Sequence, residues 1–159
     1  MLFINYIPMP KTYVLTSWYF NPIHPWHIEC FELAKALGDE LWVIVNNDKQ
    51  SELKRWCTSF QDEEFRMRVV SALKPVDKVV LSIDTYQLEN WEVPVTNSLR
   101  KVIAMIRKED PEAVIYFAKW WDRVAKNTPE YELLQKLWVE LRDGLGAKTH
   151  HSRDYITLD

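Results

Sequence analysis

The stretch from Tyr13 to His27, Y-V-L-T-S-W-Y-F-N-P-I-H-P-W-H, constrains the fold more than any other part of the chain. Tyr13, Val14 and Leu15 form a short apolar run of β-forming residues, expected as a buried strand that ends in Thr16-Ser17. A turn at Asn21-Pro22 follows. Then comes His24-Pro25, where proline suits the first position of a helix. That helix is expected to run to about Leu37 and to stop at Gly38. A strand, a loop and a helix N-terminus in that order make a joint suited to phosphate. Unpaired backbone N–H groups and the positive end of the helix dipole face the ligand there. His24 and His27 are three apart, so both imidazoles can point the same way. Two imidazoles at a phosphate site can donate to oxygens that gain charge in phosphoryl chemistry. The plain alternative is two surface histidines near a helix start.

The rest of the chain alternates strand-like and helix-like segments. Leu41 to Val45 is a continuous apolar run, expected as a second buried strand, with polar Asn46-Asn47-Asp48 at its carboxyl end. Open α/β sheets bind ligands at such strand ends. Lys49 to Phe60 is polar without clear periodicity and reads as a mobile loop with a helical turn. Gln61 to Leu73 reads as an amphipathic helix with Phe65, Val69, Ala72 and Leu73 inward and Asp62, Glu63 and Glu64 at its N-terminus. A strand over Val76 to Leu81 and an irregular stretch from Ser82 to Val95 come next. A helix from Thr96 to Lys108 then presents Leu99, Val102, Ile103 and Ile106 on one face. Ala113 to Phe117 and Val139 to Leu141 complete five strand-like runs, with a helix opening at Pro129-Glu130 between them. This order predicts an α/β fold with a doubly wound parallel five-stranded sheet. Residues 1–10 read as an N-terminal extension and 11–159 as a single domain.

Composition excludes several classes. A net charge of −3 gives no global basic surface for nucleic acid. No apolar run approaches the roughly 18 residues that a membrane helix needs, and the short apolar start is broken by Pro8 and Pro10. Cys30 and Cys57 form no C-x-x-C pair, which suits a reducing cytoplasm without disulfides.

The loop Trp18-Tyr19-Phe20-Asn21-Pro22 and the pair in His24-Pro25-Trp26-His27 resemble the nucleotidylyltransferase superfamily, in particular its cytidylyltransferase-like branch. That family carries a Gly-aromatic-Phe-Asp/Asn-Pro loop followed by His-x-Gly-His. A second motif, Lys119-Trp120-Trp121-Asp122-Arg123 with Pro129-Glu130 downstream, resembles the family's strand-end Gly-Gly-Asp-Arg loop. The resemblance implies a Rossmann-like fold. It also implies transfer of a nucleoside monophosphate from CTP or ATP to a small phosphorylated substrate, with release of pyrophosphate. The implied catalytic residues are His24, His27 and Lys54. The implied nucleotide contacts are Ser17, Trp18, Tyr19, Phe20, Asp122, Arg123, Thr149 and Ser152, and Arg66 is the implied substrate contact. Mg²⁺ would accompany the triphosphate. Each assignment has a plainer counterpart: solvated surface for Lys54, a surface ion pair for Arg66, and pairing with a neighbouring arginine for Asp122. The expected partners are the nucleotide and the phosphorylated substrate, with neither nucleic acid nor membrane, and a homodimer is left open. Two other readings compete. One is a catalytically inactive nucleotide-binding or interaction protein on the same fold. The other is a metal site of His24, His27, His150 and His151.

Two counts are abnormal: 3 glycines and 8 tryptophans. Trp18 and Trp26 stand where the resembled family has glycine, and Trp120-Trp121 occupies the Gly-Gly loop. Trp91 follows Asn90, as glycine does in a common turn pair, and Trp138 holds the place of a glycine after a helix. Trp56 ends a polar stretch. Only Trp42, inside a strand, suits its surroundings. One explanation covers all but Trp42: UGA codons that mean glycine, translated as tryptophan. The alternative is a diverged, tryptophan-rich homologue.

Overall fold

In the computed structural model, residues 7, 9–55, 59–120, 128–146 and 155–156 are described. The central strand β1 runs Thr12–Trp18. It pairs in parallel with β2 (Glu40–Val45) on one side and β4 (Val114–Trp120) on the other. β3 (Lys78–Leu81) extends the sheet beyond β2, and β5 (Glu140–Leu145) extends it beyond β4. The order β3-β2-β1-β4-β5, with parallel pairing throughout, is the expected doubly wound sheet. The connections are helical: α1 (Pro25–Lys35), α2 (Asp48–Arg55), α3 (Glu63–Ser71), α4 (Thr96–Glu109) and α5 (Tyr131–Lys136).

Alternating side chains along each strand serve two cores. Tyr13, Leu15, Trp42, Ile44, Ile115 and Phe117 face α4 and α5, where Leu99, Val102, Ile103, Ile106, Leu133 and Leu134 meet them. Val14, Leu41, Val43 and Val45 face α1 and α3, against Cys30, Phe31, Ala34 and Val70. Gly38 closes the turn between α1 and β2 because nothing larger fits. A Cβ there would lie 2.8 Å from the carbonyl oxygen of Thr12.

Two expectations need correction. Residues 48–55 form the helix α2 rather than a loop. Its start is fixed by a reciprocal box: Asn47 Oδ1 accepts from the Gln50 N–H at 2.9 Å, and Gln50 Oε1 accepts from the Asn47 N–H at 3.1 Å. In α3 the buried face is Arg66 and Val70, while Phe65 lies 51% exposed. Asp62 caps that helix, accepting from the Phe65 N–H.

The backbone departs from the usual regions at two of the tryptophans. Trp91 has φ 65° and Trp138 has φ 56°, the left-handed region that costs a bulky residue about 1–3 kcal/mol. The same region is occupied by Gly144 and Gly146, at φ 76° and 74°.

Candidate active site

Every strand ends on the same edge of the sheet, and the connections run to opposite faces on either side of β1. The crevice at the carboxyl ends of β1 and β4 is therefore the switch point where open α/β sheets bind ligands. α1 begins beside it. His24 is the N-cap of α1 in an extended conformation, φ −150° and ψ 170°, and Pro25 holds the first helical position. Both histidines are buried, and their rings stack at 3.8 Å between centroids and 28° between planes. The His24 backbone N–H donates to His27 Nδ1 at 3.2 Å, and the His27 N–H donates to the His24 carbonyl at 2.9 Å. Because Nδ1 of His27 accepts, the proton of its neutral ring sits on Nε2. His27 is thus set as an Nε2–H donor. Tyr155 also stacks on His24, at 5.5 Å between centroids and 17° between planes.

The loop after β1 folds back beneath the histidines. Phe20, fully buried at φ 52°, packs edge-on against His27 at 5.1 Å and also meets Phe31. Asn21 is buried. Its amide donates to Ser59 Oγ at 2.6 Å and its Oδ1 accepts from the Gln61 N–H at 2.9 Å. Ser17 is buried at the end of β1, and Trp18 is half-buried beside it. Tyr19 turns its carbonyl toward Arg66.

Arg66 is ion-paired with Asp48, but not at the surface. It is 1% exposed, so it is not a surface group. Nη1 donates to the carbonyls of Tyr19 and Asn46, each at 2.6 Å; Nε donates to the Gln61 carbonyl and Nη2 to Asp48 Oδ1. Four of its N–H groups are thus used in bracing the loop after β1 against the end of β2. Lys54 lies exposed on the last turn of α2. Asp122, Arg123, Thr149 and Ser152 lie outside the described residues, as do His150 and His151 of the metal reading. Among the described residues no group of three or more histidine, cysteine or acidic side chains could hold a metal.

Several polar contacts went unread in the sequence. Asn47 donates to the carbonyls of Ser82 and Asp84, tying β2 to the segment after β3. The buried Asp84 carboxylate accepts from the N–H groups of Asn97 and Ser98, so it caps α4 from a distance. A buried pair, Lys119 Nζ and Glu130 Oε2 at 3.5 Å, joins the end of β4 to the start of α5. A signal for Asp84 existed: an acidic residue ahead of a helix whose own N-cap, Val95, has no side-chain oxygen.

The crevice itself holds indoles. Trp18 ends β1 and Trp120 ends β4, and their rings meet edge-on at 6.1 Å. Trp26, buried on α1, lies 5.2 Å from Trp120 and 5.4 Å from His27. Cys30 behind them is inert, its thiol pushed up to about 12 by burial.

Comparison with known proteins agrees with this geometry. The chain is 52% identical over 68 residues to an FAD synthase of Archaeoglobus profundus, 43% of each chain. It is 40% identical over 77 residues to the bifunctional protein HldE of Gluconobacter oxydans, 48% of this chain and 16% of that one. The matches therefore span less than half the length of these curated relatives. Among solved structures, the lipopolysaccharide core biosynthesis protein of Thermoplasma volcanium aligns with a TM-score of 0.61 at 22% identity, over 87% of this chain and 99% of that one, which shows the shared fold. The profile of the cytidylyltransferase-like family matches residues 19–155, from the loop after β1 to the tyrosine stacked on His24, and the chain belongs to that family.

Proposed function

We propose that the protein is a nucleotidyltransferase that moves a nucleoside monophosphate from CTP or ATP to a small phosphorylated substrate. The observation that carries this reading is the buried His24–His27 stack at the N-terminus of α1, beside the switch point of the sheet. An oxygen of the substrate phosphate attacks the α-phosphorus of the triphosphate. The bond from that phosphorus to the bridging oxygen breaks, and pyrophosphate leaves. Charge grows on the bridging and non-bridging oxygens, where His27 Nε2–H and His24 donate beside the positive end of α1. The histidines are donors here, not nucleophiles. Arg66 holds the loop after β1 in register, so that backbone around Ser17 to Phe20 can follow the nucleotide. Lys54, Asp122, Arg123, Thr149 and Ser152 complete the site by family likeness. Mg²⁺ suits the reaction because it neutralises the triphosphate, and such ions are held largely by substrate phosphates.

Of the two donors, ATP is favoured. FAD synthase is named for an adenine dinucleotide, and that relative shares 52% identity over the matched segment. The cysteine usage suits the cytoplasm. The test is a panel of nucleoside triphosphates against small phosphorylated acceptors, with pyrophosphate detection. Pyrophosphate released only when both donor and acceptor are present is expected. Binding of nucleotide without turnover across the panel would replace this reading with the catalytically inactive nucleotide-binding protein.

A further inference from the structure

Trp91 and Trp138 each occupy a motif that has a slot for glycine. α5 ends in a Schellman motif. The Val139 N–H reaches the Leu134 carbonyl at 2.9 Å and the Trp138 N–H reaches the Gln135 carbonyl at 3.2 Å, with Val139 and Leu134 in the same apolar cluster. Trp138 is the left-handed residue of that motif, at φ 56°. Residues 89–91 form a three-residue loop closed by the Leu88 N–H on the Glu92 carbonyl and the Trp91 N–H on the Leu88 carbonyl. Trp91 takes its left-handed position, at φ 65°, where such loops favour glycine. Neither indole recovers the strain by burial, since Trp91 is 61% and Trp138 88% exposed.

A second observation is independent of backbone angles. Trp18 and Trp120 meet across the mouth of the β1–β4 crevice, and Trp26 fills the space behind them, against both histidines. On the proposed function, the two imidazoles are thus packed against indoles where the nucleotide would lie. Trp42 has neither defect. It is buried in β2, donates from Nε1 to Glu40 Oε2 at 2.8 Å, meets Tyr13 edge-on, and carries Lys78 Nζ 4.1 Å above its ring.

One residue type causes both defects, and glycine cures both: it accepts φ > 0 and takes up no volume beyond the backbone. We infer that positions 18, 26, 91, 120 and 138 are glycine in the working protein, encoded by UGA in a code that reads it as glycine, and that Trp42 is a true tryptophan. On the proposed function, the volume now held by Trp18, Trp26 and Trp120 is then the nucleotide cavity.

The codons in the gene and the masses of peptides from the protein as its own cells make it decide the residue identities. UGA at the five positions, UGG at 42, and glycine masses for the peptides containing 91 and 138 are expected. UGG at 91 and 138, or tryptophan masses there, overturns the inference. The cavity is tested separately by calorimetry with ATP and CTP on the tryptophan chain and on the W18G/W26G/W120G variant. Removing the occluding rings should tighten binding at least about tenfold, since apparent affinity scales with the open fraction. Equal affinity in the two proteins overturns the cavity clause, whatever the codons say. The absence of nucleotide binding in a variant whose codons are UGA would instead count against the proposed function.

Discussion

Trp42 and Trp120 stand on the two strands that flank β1, and they differ in how the sequence provides for them. Trp42 lies within β2. Its N–H has a carboxylate two residues away at 2.8 Å, its ring edge has Tyr13, and its face has Lys78. Trp120 ends β4 with a long 3.4 Å contact to the Ser17 carbonyl, and its ring neighbours include Trp18 and Trp26. A side chain that belongs in its place finds polar and apolar partners in residues that have other reasons to be there. The indoles of the crevice depend in part on one another. The same contrast separates the two sides of the switch point. On the β2 side Arg66 satisfies three carbonyls and a carboxylate, whereas on the β4 side the space is filled by rings.

The largest effect that sharpens this contrast is catalytic. In the W18G/W26G/W120G protein, His27→Ala should lower the rate of pyrophosphate release roughly 10²–10³-fold with little change in nucleotide affinity, because on the proposed function the imidazole acts where charge develops. Equal losses in rate and affinity would make His27 a binding group. Next comes the brace. Arg66→Met removes a buried guanidinium and leaves three carbonyls and Asp48 without it, so unfolding in urea should show a loss of about 3 kcal/mol. Arg66→Lys should recover little, since an ammonium cannot span those acceptors. A variant of normal stability with a raised KM would return Arg66 to the substrate.

A smaller effect, of opposite sign, concerns the strained turns. Trp138→Gly relieves the left-handed position after α5 and should raise stability by about 1 kcal/mol; Trp91→Gly should act similarly. A loss of stability in both, measured by thermal unfolding, would show that these indoles contribute more than their exposure implies.

β1, β2 and β4 were legible because they carry apolar runs, whereas β5, polar and running to Leu145, was caught only at its start, and α4 was legible because its stripe recurs at helical spacing. The four stripe residues, Leu99, Val102, Ile103 and Ile106, are all buried. α3 was misjudged because its buried face includes Arg66, a residue that pattern reasoning sends to the surface. Its burial depends on carbonyls of Tyr19 and Asn46 that converge only once β1 and β2 are paired. α2 was missed as a helix although the sequence carries its box, Asn47 and Gln50 three apart, because the segment has no apolar stripe to mark it. The histidine pair was visible from its spacing together with the strand, loop and helix start that precede and carry it. The reach of Asp84 to α4 and of Lys119 to Glu130 was not, since both cross between elements.

The smallest expected effect tests Trp42 as the residue that fits. Its N–H donates to Glu40, and this hydrogen bond is the leading cause that holds the Glu40 carboxyl below its ordinary value of 4.5, with Lys11 adding to it. A carboxyl whose pKa is depressed on folding contributes stability that is fully present above the unfolded value. That stability is lost as pH falls through the lower folded value. Stability should therefore decline on acidification below about 4.5 partly through this group. Glu40→Gln, which cannot be charged, should flatten that part of the curve. Glu40 is partly exposed, so the contribution should stay under about 1 kcal/mol. The measurement is urea unfolding from pH 6 downward for the unaltered chain and for Glu40→Gln. Trp42→Phe should reproduce part of the flattening, because it removes the donor and leaves the carboxylate and Lys11 in place. If Trp42→Phe leaves the acid limb unchanged while Glu40→Gln flattens it, the effect belongs to Lys11, and the fit of Trp42 rests on its packing alone.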